Sequence, residues 1–552
     1  MNSLRRVVNN TVISLVGQAI TWASTLLLTI AYGRFLGDIK FGELYFAITF
    51  VALIGFPLEF GFNQQLTRDV AQEPHKAPRY LLNTLLIKTA LWLFLYGLIL
   101  LACWLLGYGL EQRIIVAICG FTLLSTAVAN TFAALYYALQ RVVFPVIGTI
   151  LEKGISALIG ILLLKYGAGI QVMACVLLGS SIIGALWQAI CFFRLVGTKD
   201  GFILDTPLIR QLLRTGIPFL IYGVLGVIYY RLDTVLLSLM TNVAVVGWYG
   251  AGYRLFDTLV FLPNIVITAI MYPVFSKLSI TSNEQLKLAI EKSMNFLLFC
   301  GIPTATFMIA AAPNIIGFLY HRPEFTNTFP VLQALAPGLV FLYINTVFST
   351  ILISTRQEKK ITIMAAVALV FNLGLNLFLI PLYKQVGAAI VTSLTELLLS
   401  AIALLLVPRA LVPWASGRVA IKALLASAAM AAIVLLLRNF SIFAILAVAI
   451  VVYLGATTLL RTIPGEDLRA LYRAIRYRKR QTLPSADLPE LEVVLEEERP
   501  GDAEEITEKR PATFWQPPPT TDLPERELSQ EEWPDDVGSA TEKRPIQKMR
   551  NI

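Results

Sequence analysis

Four charges sit where a membrane-spanning sequence should carry none. Between Arg210 and Ser276 two long apolar runs follow one another, joined by a short polar hairpin around Thr241 and Asn242. The first run carries Arg231 and Asp233 well inside it, and the second carries Arg254 and Asp257. One such charge at the centre of a hydrocarbon layer costs about 2.5–3.5 kcal/mol on insertion scales. Four in one hairpin need a water-filled cavity or mutual pairing, so they mark a polar path through an apolar body. Because the two spans run antiparallel, Arg231, late in the first, and Arg254, early in the second, fall at similar depth. Arginine suits phosphate, because its planar fork binds two oxygens at once and stays charged. The alternative is structural: Arg254 pairs with Asp257, three residues on and on the same helix face. Arg231 and Asp233 are two residues apart and point to different faces, so they do not simply neutralise each other.

Other charges fall within apolar runs. Glu152 and Lys153 lie near mid-membrane in one span. Adjacent positions on a helix diverge by ~100°, so these two are expected to serve different partners. Glu396 sits halfway along a late span beside Thr392 and Thr395, and Glu59 nears the inner end of the second span. A membrane carboxylate can take up a proton and act as a coupling site, or stay neutral and hydrogen-bonded. Glu59 has the further option of meeting only headgroups. Asn372 and Asn376, four apart, read as helix–helix glue. Arg231, Arg254 and Lys153 are thus the candidates for holding an anionic ligand. Asp233, Asp257, Glu152, Glu396 and Glu59 are the candidates for a coupling ion, proton or sodium. No resident cofactor or metal is expected.

The elements that must position these residues are legible in composition. The chain has 552 residues, 57% hydrophobic and 15% charged, against about 25% charged in soluble domains. Its mean hydropathy is +0.70. This describes an all-α polytopic membrane protein. Two His and five Cys are too few and too scattered for a metal site or a disulfide framework. No Walker loop, nucleotide fingerprint or nucleophile with a partnered base occurs, so no enzyme is expected, and energy must come from ion gradients or downstream pull.

Fourteen apolar spans are predicted, at 7–33, 41–62, 81–106, 113–138, 144–165, 171–195, 215–240, 244–272, 288–319, 331–355, 361–381, 386–407, 418–437 and 440–461. Each is long enough to cross about 30 Å of hydrocarbon. The first span is too long for a signal-peptide core and lacks a small-residue cleavage site, so no cleavable signal peptide is expected. With the N-terminus inside, cytoplasmic loops and span ends hold 19 Lys/Arg and the opposite side 7, which predicts both termini cytoplasmic. The basic loops are this orientation signal, and not a nucleic-acid site.

The joint of spans 1 and 2, LGDIKFGELYFA, echoes that of spans 7 and 8, MTNVAVVGWYGAG. In each a polar turn leads to glycine, an aromatic and the next span, with Gly42 and Gly247 in matching places. Parallel repeats of this kind are common in transporters. The expected organisation is an N-terminal lobe at 1–210, a C-terminal lobe at 211–410, and two added spans at 411–463. A basic amphipathic helix at 464–481 is expected to lie on anionic lipid. Residues 1–480 hold 37 Lys/Arg against 18 Asp/Glu, and the remainder 8 against 18. The acidic, proline-rich stretch 482–552 reads as a disordered cytoplasmic tail.

Several stretches together resemble the polysaccharide (O-antigen-type) flippases of the multidrug/oligosaccharidyl-lipid/polysaccharide exporter superfamily. They are GRFLGDIKFGELYFA, EFGFNQQLTRDVA, RLDTVLLSLM with VGWYGAGYRL, MYPVFSKLS, and FNLGLNLFLIPLYKQVGAAIVTSLTELL. The resemblance covers roughly residues 5–460. It implies fourteen helices in two six-helix lobes facing a central cavity, alternating access, and a polyprenyl-(pyro)phosphate-linked glycan as cargo in the cytoplasmic (inner) membrane. Membrane lipid, a polysaccharide polymerase and glycosyltransferases would be the partners. Two relatives by the same resemblance remain open, a cation-coupled multidrug exporter and a peptidoglycan-precursor flippase. Against the exporter, span 1 holds no acid, and arginines repel cationic drugs. A non-transporting membrane scaffold is the alternative from another class.

Overall fold

Gly37 turns the first corner of the chain. The computed structural model describes residues 2–59, 61–196, 203–267 and 271–462. In it the first two expected spans form one helical element, α1 (Asn2–Gly55), broken at Gly37 by a backbone of φ 80°, ψ 178°. Without a Cβ, glycine adopts such a conformation at no steric penalty. A 3-10 turn at Phe56–Glu59 and a left-handed Gly61 then lead into α2 (Phe62–Gln72). α3 (Ala77–Leu105), α4 (Leu110–Ala138), α5 (Val143–Lys165) and α6 (Ile170–Val196) follow, and these six elements pack mainly on one another.

The second group begins with α7 (Thr206–Met240), whose first turn is capped by the Asp205 side chain accepting from Leu208 N at 3.2 Å. It continues through α8 (Val243–Leu259), α9 (Phe261–Val266), α10 (Tyr272–Thr281), α11 (Asn283–Ala310), α12 (Ala312–Tyr320), α13 (Phe329–Ser354) and α14 (Glu358–Leu406). α14 also turns a corner, at Lys384 with φ 49° and ψ −128°. Pro381 lies just before it, where the missing N–H and the ring interrupt the helical ladder. α15 (Ser416–Leu436) and α16 (Ile442–Leu459) pack on each other and on α11, with Met430, Val434, Ile445 and Tyr453 buried between them. They lie outside the main body, as spans 13 and 14 were expected to. No strand occurs among the described residues.

Ten helical segments among the described residues are long and apolar enough to cross a membrane, against fourteen expected spans. Part of the difference lies in the two corners, since α1 and α14 each hold two expected spans. Another part lies in expected span 8. It divides into α8 and α9, with α10 beyond, and Pro263 and Pro273 fall in the first turns of α9 and α10. The basic helix expected at 464–481 and the tail at 482–552 lie outside the described residues.

The two lobes touch at the end that carries Gly37. A Cβ on Gly42 would sit 2.2 Å from Val243 O, and one on Gly247 would sit 2.3 Å from Asp38 O. The two glycines of the sequence echo therefore face each other across the lobe boundary, and any side chain would force the backbones apart. Trp248 Nε1 donates to Asp38 Oδ2 at 3.0 Å across the same boundary. Arg322 Nε donates to Arg34 O at 2.6 Å, tying the loop after α12 to the first arm of α1. Either Gly42→Leu or Gly247→Leu should hold this end open. In a cysteine-free background, maleimide labelling of a single cysteine at Tyr45, which packs against Gly250 at this boundary, should rise severalfold. Unchanged labelling would show that the glycine contact does not close the lobes.

Candidate functional site

Arg231 and Arg254 come to the same cavity. It measures about 410 Å³ and lies between the two arms of α1, α4, α5 and α6 on one side and α7 and α8 on the other. Lys153 and Glu152 of α5 line its opposite wall. A second chamber of about 300 Å³ adjoins it, lined by Lys153, Arg254 and Asp257 together with Trp22 and Thr25. A third, of about 670 Å³, opens beyond Glu152 and Lys153 toward α2 and α6. Lys153 borders all three spaces. All three residues expected to hold an anion thus line one connected space, in a wall otherwise carrying threonines 25, 29 and 49 and tyrosines 32 and 45.

The local pairings differ from expectation in one place. Glu152 and Lys153 were expected to serve different partners, yet Lys153 Nζ lies 2.7 Å from Glu152 Oε1. Their Cα–Cβ bonds diverge, but the long unbranched stem of lysine lets the ammonium swing back to its neighbour. The pair neutralises itself, which leaves the two arginines, with the half-exposed Asp257 beside Arg254, as the remaining charges around the cavity. Arg254 does meet Asp257, at 3.5 Å. With the Asp257 side chain 43% exposed, such a contact is worth at most about 1 kcal/mol.

Asp233 turns away from the cavity, as its two-residue offset from Arg231 requires. It is 3% exposed and buried between α7, α8 and both arms of α14. Tyr249 Oη donates to it at 3.0 Å, Asn376 Nδ2 at 2.7 Å and Thr392 Oγ1 at 2.9 Å. Asn376 donates also to Asn372 Oδ1 at 2.9 Å, so the asparagines read as helix glue do bridge α14 to α7. Glu396, 1% exposed, accepts from Tyr229 Oη at 2.8 Å. The five carboxylates grouped for ion coupling therefore occupy three environments: Glu152 and Asp257 on the cavity, Asp233 and Glu396 in the C-terminal lobe's interior, and Glu59 elsewhere.

Glu59 belongs to a buried pair that the sequence reading missed. Lys88 of α3 is 1% exposed, and its ammonium lies 3.6 Å from Glu59 Oε2. It donates to Asn63 Oδ1 at 3.0 Å and to Ala127 O at 3.3 Å. Asn130 Nδ2 donates to Glu59 Oε1 at 2.8 Å, and Asn63 Nδ2 donates to Glu59 as well. Glu59 thus meets protein rather than the headgroups considered for it. The missed signal was a lysine inside an apolar run, the same signal that singled out Arg231.

A helical membrane protein of two lobes around a charged central cavity is a transporter in architecture. The family described as polysaccharide biosynthesis protein matches residues 7–279. The family described as lipid II flippase MurJ matches residues 206–456. The two matches overlap at residues 206–279 and together run from 7 to 456, so the chain is similar over most of its length to families of flippases and polysaccharide-biosynthesis membrane proteins. Its fold is similar to that of lipid II flippase MurJ in an inward closed conformation, with a TM-score of 0.67 and 17% identity over 81% of this chain and 98% of that one. It is also similar to a multidrug MATE-family transporter in an inward-facing conformation, with a TM-score of 0.59 and 14% identity over 69% and 93%. An uncharacterised membrane protein of Methanocaldococcus jannaschii is 27% identical over 196 residues, 35% of this chain. That match spans 38% of the relative's length.

The Lys88–Glu59 pair should be structural. Glu59→Ala strands a buried ammonium and should lower stability by about 3 kcal/mol, the low end for a buried pair because Glu59 is itself a third exposed. Lys88→Met with Glu59→Gln should recover most of that loss. The midpoint of thermal unfolding in detergent reads both, and equal midpoints for Glu59→Ala and the unsubstituted chain would remove the pair from the fold's support.

Proposed function

We propose that the protein flips polyprenyl-(pyro)phosphate-linked oligosaccharide or polysaccharide precursors across the cytoplasmic membrane by alternating access. The observation that carries this reading is the meeting of Arg231, Arg254 and Lys153 around one cavity. A lipid-linked glycan has an anionic (pyro)phosphate, a polar sugar portion and an apolar tail. The first two need a wet route with fixed positive charge, whereas the tail stays in lipid. The guanidinium groups supply that charge in a space large enough for water. The contact between lobes around Gly42 and Gly247, with the cavity beyond it, supports a cycle in which that contact opens and an opposite one closes. A peptidoglycan precursor is the second reading, favoured by the lipid II flippase family's match to residues 206–456. Both readings share the phosphate chemistry.

Coupling would use the dry acids. Asp233 stands in a polar network on the same helix as Arg231, two residues on. A proton or sodium ion taken up there would change the balance of charge on α7, whose other face lines the cavity. Glycosyltransferases and a polymerase would supply and consume the cargo.

If the arginines hold phosphate, Arg231→Ala or Arg254→Ala should abolish flipping in folded, inserted protein, while Arg→Lys should retain part of it, since lysine keeps the charge and loses the fork. Translocation of a labelled lipid-linked oligosaccharide in proteoliposomes measures this. Normal flipping by Arg254→Ala with Asp257→Ala would remove Arg254 from the cargo site, and normal flipping by Arg231→Ala would remove Arg231.

Orientation has its own check. Single cysteines at Asn242 and Lys384 should label from outside the cell, and one at Ser282 only after permeabilisation. The reverse pattern would invert the proposed topology.

A further inference from the structure

The largest of the three chambers has a chemistry distinct from the arginine wall. Its volume of about 670 Å³ falls in the range of small-molecule sites, about 300–1,000 Å³. It shares Glu152 and Lys153 with the central cavity and extends from them between α2, α4, α5 and α6. Beyond Glu152 and Lys153 its polar lining is mostly neutral, with the amides of Asn63, Gln64, Asn130 and Gln188 and the hydroxyls of Thr67 and Thr149, and its one further charge, Arg68, is paired with Asp69 at 2.9 Å. Neutral amides and hydroxyls both donate and accept. That pattern matches a polyol, and it matches neither a bare phosphate nor a hydrocarbon chain.

Two of these amides are set in place. Asn63 and Asn130 both donate to Glu59, whose charge is balanced by buried Lys88. The amide of Gln188 is buried with its oxygen left without a partner. Gln188 is 3% exposed, and its Oε1 accepts no hydrogen bond from the protein. A buried acceptor in that condition costs about 1–3 kcal/mol unless something donates to it. The backbone makes room for this amide. A Cβ on Gly148 would lie 2.8 Å from Gln188 Cγ and 2.9 Å from its Nε2. Glycine at 148 therefore lets the Gln188 side chain lie along α5 at the edge of the chamber.

We propose that this chamber is the glycan subsite, and that Gln188 reads the sugar nearest the phosphate. With the phosphate between Arg231, Arg254 and Lys153, the first sugar enters the adjoining chamber past Lys153. Gln188 Oε1 is covered in this structure, so the amide turns toward the chamber and Oε1 then accepts from a sugar O–H or N–H, while Asn63 and Asn130, held by Glu59, face the rest of the ring. This inference rests on the lipid-linked-glycan reading.

The experiment separates the two. The full chain, purified in detergent, is titrated with decaprenyl pyrophosphate and with decaprenyl pyrophosphate carrying one N-acetylhexosamine, and the ratio of the two affinities is the readout. The sugar-bearing probe should bind at least tenfold tighter. Gln188→Leu should reduce that ratio by roughly tenfold, about the worth of one hydrogen bond to an otherwise unpaired buried acceptor, and leave the bare probe's affinity unchanged. Gly148→Ala, which leaves every chamber-lining polar group present, should reduce the ratio too, because its methyl displaces the Gln188 amide. A ratio unchanged in both variants, in protein whose melting is normal, would overturn the subsite and leave the cargo reading intact. Equal loss of both probes in Gln188→Leu would make Gln188 a structural residue and overturn the subsite as well. Binding of neither probe by the unsubstituted protein would overturn both.

Discussion

A charge in hydrocarbon must have water or a partner, and the architecture follows from meeting that requirement in three ways. Arg231 and Arg254 are given a cavity. Asp233 and Glu396 are given a dry shell of donors, Tyr249, Asn376 and Thr392 for one and Tyr229 for the other. Lys88 is given Glu59, a side-chain amide and a backbone carbonyl. Each solution needs several helices at once, so the helices cannot be rearranged freely without stranding a charge. Between helices in lipid there is little hydrophobic drive, and these polar contacts are part of what selects one packing over another.

α7 joins two of these environments. Arg231 faces the cavity and Asp233, two residues on, faces the core of the C-terminal lobe. A rigid helix carries any rotation at one face to the other. The lobe boundary is equally discrete. At Gly42 and Gly247 the backbones approach so closely that the contact is either made or lost. An interface of that kind has two states rather than a continuum.

The sequence by itself determined the membrane class, the helical architecture and the charges that need explaining. Periodic apolar runs and a low charged fraction are properties of local composition, and they survive without knowledge of partners. The same logic marked Arg231 and Arg254 as lying at similar depth, because they stand at similar distances from the hairpin that joins two antiparallel spans. It also marked Asp233 as facing elsewhere, because a two-residue offset on a helix does so. The glycine echo at 42 and 247 was visible as a repeat, though its meaning as a contact was not.

Only the tertiary structure decided who pairs with whom. Glu152 and Lys153 are adjacent, and backbone geometry alone sets their Cβ directions apart, yet the flexible lysine stem closes the gap. Glu59 and Lys88 lie on different helices, so no spacing rule could join them. Expected span 8 broke into shorter helices, because hydropathy sums over a window while proline interrupts the ladder at one residue. Gln188 had no mark in the sequence at all. Its unpartnered oxygen exists only because Gly148 and the neighbouring helices bury it there. Burial and pairing are relations between segments distant in sequence, and a single chain read along its length states composition and period but not those relations.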